Sequence, residues 1–114
     1  MKVQTYLEGL KVVIDFAEKY KFPTTHINTI LYLGRKGFDK DSGGTCIGNV
    51  GLETKVSASG VSSCLTDLMK KGMIEKRIDP KNQRTRYVSL TEKGTKLYKE
   101  IKTEIDKIET LFWS

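Results

Sequence analysis

Residues 57–74 read Ser57-Ala58-Ser59-Gly60-Val61-Ser62-Ser63-Cys64-Leu65-Thr66-Asp67-Leu68-Met69-Lys70-Lys71-Gly72-Met73-Ile74. Ser57 is a good N-cap, because its hydroxyl can take an orphan amide of the first turn. Val61, Leu65 and Leu68 fall on one helical face, with Cys64 beside them. Two lysines and then Gly72 mark the other end: cations at the carbonyl terminus, glycine for the left-handed cap. The stretch predicts a helix over about 57–71. Its opposite face carries Ser57, Ser59, Ser62, Ser63 and Thr66. Short hydroxyl side chains allow close approach and can hydrogen-bond phosphates or base edges. They would equally serve as the solvent face of an ordinary helix.

Downstream come two strand-like runs, Met73 to Ile78 and Arg86 to Leu90. The polar segment Asp79-Pro80-Lys81-Asn82-Gln83-Arg84-Thr85 between them has the composition of a hairpin turn. Thr91 caps a last helix, with Glu92 in its first turn. Leu97, Ile101, Ile105, Ile108 and Phe112 give that helix an apolar stripe.

Upstream, residues 2–21 predict a helix in which Tyr6, Leu10, Val13, Ala17 and Tyr20 recur at helical spacing. Leu7 and Ile14 widen the stripe, and Pro23 stops it. Thr24 or Thr25 caps a second helix with apolar positions Ile27, Ile30, Leu31 and Leu33, ended by Gly34 and Gly37. The polar run from Asp39 to Gly44 lacks the ligand pattern and closing glutamate of a calcium loop and reads as a turn. Thr45-Cys46-Ile47 is a short strand. Asn49 caps a short helix from Val50 to about Lys55. The order is helix, helix, strand, helix, helix, strand, strand, helix. The fold class is mainly α with a small β-wing, a winged helix-turn-helix in one domain over 1–114.

The net charge of +6 is unevenly placed. Residues 69–99 hold ten basic and three acidic side chains, a local +7 against −1 for the rest. A basic stretch on a near-neutral body suits a polyanionic partner. No apolar run approaches the roughly 20 residues of a membrane span. The N-terminus lacks a signal peptide's pattern, so a cytoplasmic protein is expected.

Two cysteines, Cys46 and Cys64, and one histidine, His26, lack paired metal-ligand spacing. No metal and no cofactor is expected, and the thiols read as buried and inert. A Cys64 nucleophile with His26 as base lacks any further group to complete a site, and no GK[ST] phosphate loop is present, so no catalysis is expected. Redox sensing through either cysteine would need an exposed thiol of lowered pKa.

The stretch from Val56 to Ile74 resembles the recognition helix of the MarR family, including the closing "L-E-K-K-G-L-V/I". Residues Asp79 to Arg84 and Val88 to Gly94 are similar to that family's wing, "D-P-x-D-x-R…V-x-L-T-x-K-G". The resemblance runs ungapped from about Val50 to Gly94. It implies a double-stranded DNA-binding transcriptional regulator of repressor type. The helix 57–71 would enter the major groove and the wing 74–90 would lie alongside. It implies a minor-groove role for Arg84, braced by Asn82, with Arg86 and Lys81 as flanking phosphate contacts. Ser57, Ser59, Ser62 and Ser63 would be the helix contacts, and Lys55 and Arg77 complete the DNA-binding set. Asn82 stands where the family has aspartate, and Ser63 where arginine is frequent. After Thr91 only 23 residues follow, room for one helix where the family has two.

The stripes of helices 2–21 and 91–112, with Phe112 and Trp113 at the end, exceed what one small core covers. A homodimer packed through them is expected, with recognition helices about 34 Å apart on a palindromic site. A small-molecule effector is not legible. Two other readings stand beside this one: a winged helix used for protein contact, and a replication or partition initiator.

Overall fold

Ile27, Ile30 and Leu33 are fully buried, and the helix that carries them is the one around which the chain folds. The computed structural model describes residues 3–38, 44–54, 57–82 and 86–113, with backbone alone at 3–6, 53, 58 and 109–113. Helix α1 is Val3–Tyr20 and α2 is Thr24–Arg35. Strand β1 is Thr45–Cys46, followed by α3, Ile47–Thr54, and α4, Ala58–Lys70. Strands β2, Ile74–Ile78, and β3, Arg86–Leu90, form the hairpin, and α5 is Glu92–Trp113. The element order is the one expected. The polar run 39–43 lies outside the described residues.

The core joins α2 to Val50 of α3, to Val61, Cys64, Leu65 and Leu68 of α4, to Val88 and Leu90 of β3, and to Leu97 and Ile101 of α5. Helix α1 adds Val13 and Ala17. The rest of its stripe lies outside the core: Leu7, Leu10 and Ile14 are 42–47% exposed. Tyr20 crosses to α5, where its hydroxyl donates to Glu100 Oε2 at 3.0 Å. Partial burial, and then that carboxylate, push the Tyr20 phenol above its ordinary pKa.

The helix ends correct three expectations. Helix α1 stops before Pro23 takes effect. Lys21 enters the left-handed region at φ 58°, and the Phe22 amide donates back to the Ala17 carbonyl at 2.8 Å. That contact satisfies an orphan carbonyl of the last turn. At α2, neither Thr24 nor Thr25 caps. Extended Pro23 holds the cap position and no side chain bonds the first turn, since a ring-fixed φ lets the helix begin at Thr24. At α3, Asn49 lies inside a helix that already starts at Ile47, and its amide reaches back to Thr45 Oγ1 at 3.4 Å.

The end of α4 is as expected. Gly72 sits at φ 75°, and the Met73 amide donates to the Leu68 carbonyl at 2.9 Å. Strand order is β1-β3-β2, antiparallel throughout. In the hairpin Ile74 pairs with Leu90, Lys76 with Val88 and Ile78 with Arg86. Successive strand side chains point to opposite faces. One face therefore carries Ile74, Val88 and Leu90 into the core. The other carries Glu75 and Arg77, which are exposed, Tyr87, which is half-buried, and Ser89, which is buried.

Strand β3 leads straight into α5 through Thr91. The Thr91 hydroxyl donates to the Gly72 carbonyl at 2.6 Å and accepts from the Gly94 amide at 3.1 Å, the expected cap. The Thr91 amide donates to the Met73 carbonyl at 3.0 Å. Gly94 lies against that same carbonyl so closely that a Cβ there would collide with it. Gly94→Ala is therefore expected to destabilise the fold by about 1–3 kcal/mol, because the obstacle is backbone and cannot step aside. Urea unfolding of the two proteins, compared at their midpoints, checks this; equal midpoints would refute the close packing.

Candidate nucleic-acid interface

Helix α4 separates its side chains by polarity. Val61, Cys64, Leu65 and Leu68 are buried, while Ser57, Ser59, Ser62, Ser63 and Thr66 are exposed. Ser57, extended at φ −61° and ψ 158°, is the N-cap and accepts from the Gly60 amide at 3.2 Å. The helix N-terminus thus opens on a surface of hydroxyls, where its partial positive charge favours an anion.

These groups line one open cleft. Its walls are Pro23 and His26 from the start of α2, and Ser59, Ser62, Ser63, Thr66, Asp67 and Lys70 from α4. Not every hydroxyl has its hydrogen to spare. Thr66 Oγ1 donates to the Ser62 carbonyl at 2.8 Å, and Ser57 and Ser59 share a contact at 3.4 Å. Ser62 and Ser63 stand exposed, one on each side of the helix's outer line.

The cleft holds one feature that the linear pattern did not foretell. His26 Nε2 lies 2.9 Å from Asp67 Oδ2, across 41 residues of sequence. The imidazole is buried between α2 and α4, with Phe22 tilted against it at 5.7 Å. Nothing in the spacing of either residue links the two. The only available hint is that Asp67 follows Ser63 by one helical turn.

The hairpin places its basic groups on two faces. Arg86 pairs with Ile78 on the face that continues the core, and Arg77 pairs with Tyr87 on the other. Both arginines are exposed, as are Lys76, Lys81 and Asn82. Asp79 shapes the turn that follows β2. Its carboxylate accepts from the Lys81 amide at 2.9 Å, its carbonyl accepts from the Asn82 amide at 3.2 Å, and Tyr87 Oη donates to Oδ2 at 3.5 Å. Partial desolvation and the Asp79 charge raise the Tyr87 pKa. Lys55 and Arg84 lie outside the described residues, so the bracing of Arg84 by Asn82 does too.

The cysteines divide. Cys64 is buried, its Sγ 3.5 Å from Thr29 Oγ1, and burial, aided by the Asp67 charge, raises its pKa against the Thr29 contact. Cys46 is half-exposed on β1, opposite Tyr87. Among the described residues no three His, Cys, Asp or Glu side chains gather as a metal site. No described helix is long and apolar enough to cross a membrane.

Residues 49–94 match the winged helix DNA-binding domain family. The fold is a winged helix. The matched span almost coincides with the 50–94 stretch that carries the resemblance read from the sequence. In this winged helix α3 and α4 are the helix-turn-helix pair and β2 and β3 the wing. The chain superimposes on the MepR-DNA complex of S. aureus with a TM-score of 0.72 and 19% identity, covering 96% of this chain and 77% of that one. For MepR described as a transcription regulator of the Staphylococcus aureus multidrug efflux pump MepA, the TM-score is 0.76, at 19% identity and 95% and 75% coverage. For the transcriptional regulator PA4135 it is 0.76, at 18% identity and the same coverage. No curated protein sequence matches the chain.

The thiols offer a direct check on the inward face of α4. A thiol reagent at neutral pH should modify Cys46 in the folded protein and leave Cys64 until denaturant is added, because the thiolate is the reactive form and burial disfavours it. Rapid modification of both would mean that the inward face of α4 is open.

Proposed function

We propose that this winged helix is a double-stranded DNA-binding regulator of transcription, acting as a homodimer. The observation that carries the reading is the exposed hydroxyl face of α4, lining an open cleft with Lys70 while the opposite face is core. A helix so divided fits a major groove, and its hydroxyls can meet phosphates and base edges. The basic side chains of the wing, Arg77, Lys81 and Arg86, with Arg84 between its strands in sequence, supply the charge that holds a duplex. Solved structures of this shape include a protein bound to DNA and others titled transcriptional regulators, which supports the same reading.

The test is a gel shift over a salt series, first with random duplex and then with a site selected from a random pool. Binding is expected, with log K falling by about 0.9 per log unit of salt for each phosphate contacted. Arg84→Ala should weaken selected-site binding by about 1–3 kcal/mol, if the wing arginine reads a groove as the family pattern implies. Absence of binding to every duplex would favour a protein-contact role and overturn the proposal.

The dimer rests on α1 and α5. Leu7, Leu10 and Ile14 repeat at three- and four-residue spacing and stay exposed, an apolar row left uncovered by the chain's own core. Helix α5 has 22 residues, about 33 Å of helix. Ile105 and Ile108 remain half-exposed along its second half. A two-fold partner that covered both rows would set two copies of α4 on one side of a duplex. Light scattering should report twice the 12.9 kDa of the chain at micromolar concentration. Leu10→Glu should shift the mass to monomer, and a wild-type monomer would overturn this arrangement.

A further inference from the structure

Among the described residues, Asp67 is the one acidic side chain that lines the hydroxyl cleft, and its carboxylate is 43% exposed there. A duplex seated in the cleft would bring phosphates toward a group of their own sign, and like charges at short range repel. The cleft also contains the means of cancelling that charge. His26 holds Asp67 at 2.9 Å, and its side chain is only 9% exposed. It is the sole histidine of the chain.

We propose that His26 is a positioning residue for DNA binding, holding the Asp67 carboxylate in place and cancelling its charge by taking up one proton as the duplex arrives. The inference rests on the reading of α4 as the DNA-facing helix.

The contact defines where the proton goes. A neutral imidazole that donates Nε2–H to Asp67 leaves Nδ1 as an acceptor. Nδ1 is buried and has no hydrogen-bond partner among the described residues. Uptake from solvent places the new proton on Nδ1 and gives an imidazolium whose Nε2–H still faces the carboxylate. Burying the new N–H is unfavourable. Two charges act the other way: Asp67 directly, and the phosphates that enter with the duplex.

From α4, Lys70 lines the cleft with His26. Lys71 at the end of α4 stands over the Phe22 ring, with Nζ 5.4 Å from its centre. From α1, Tyr20 stacks on Phe22. Both lysines oppose a further positive charge in the free protein, and phosphates would offset them.

The linkage has a definite sign. Proton uptake on binding makes affinity rise as pH falls through the histidine range. Measured on the selected duplex at constant salt, wild-type affinity is expected to rise about three- to tenfold from about pH 8 to about pH 6. His26→Gln keeps an N–H that can reach Asp67 and cannot titrate, so its affinity should stay level over the same range. A flat wild-type profile, or the same slope in His26→Gln, overturns the inference while leaving DNA binding intact. Absence of binding at every pH removes this inference and the function proposed above together. One measurement needs no variant. The imidazole proton signal of His26, followed by NMR against pH, should change at higher pH in the complex than in the free protein. Coincident titrations would overturn the proposal even if His26→Gln does not fold.

Discussion

The fold turns on how one helix divides itself. With 3.6 residues per turn, burying Val61, Cys64, Leu65 and Leu68 leaves Ser59, Ser62, Ser63 and Thr66 no place but outside. The apolar half is held by α2, whose Ile27, Ile30 and Leu33 have no exposed surface at all. Rotation of α4 by one residue would push a serine into that wall and expose Leu68. Burying a hydroxyl without a partner costs free energy, as does exposing a leucine, and the two penalties act together. The surface offered to a partner is thus set from within.

Much of this was legible in the linear pattern because it depends on local rules. Ser57, Gly72 and Thr91 are terminal residues whose roles follow from which backbone groups a helix leaves unpaired, and the structure places each as read. The two strand-like runs are likewise strands, with Ile74 and Val88 inside and Arg77 outside. The misread positions share a cause. Thr24 and Asn49 are good capping residues, yet extended Pro23 holds the cap position of α2, and α3 already runs from Ile47. Composition alone cannot rank helix starts that lie one to three residues apart. Lys21 shows the converse: an ordinary lysine takes the left-handed position that glycine usually fills, so α1 ends without its customary marker.

What was not legible is what the chain brings together from afar. The contact of His26 with Asp67 spans 41 residues and two helices. Each residue taken alone looks ordinary, one on a helix's buried side and the other on a polar face. The same holds for Tyr20 and Glu100, which tie the first helix to the last. The spacing along α1 shows an apolar stripe too wide for one small core and does not say which of its residues the core takes. Packing divides it into Val13 and Ala17, which the core takes, and Leu7, Leu10 and Ile14, which it leaves. Periodicity reports that a face is apolar and says nothing about which molecule covers it.

The joint between α4 and α5 has a mechanical consequence. Three contacts cross it: the Thr91 hydroxyl to the Gly72 carbonyl, the Thr91 amide to the Met73 carbonyl, and Lys93 Nζ to the Lys71 carbonyl at 3.1 Å. Gly94 lets the backbones meet there without an intervening side chain. These bonds tie the tail of α4 to the head of α5 by their backbones, so the direction in which α5 leaves the sheet is set at the end of the serine-bearing helix.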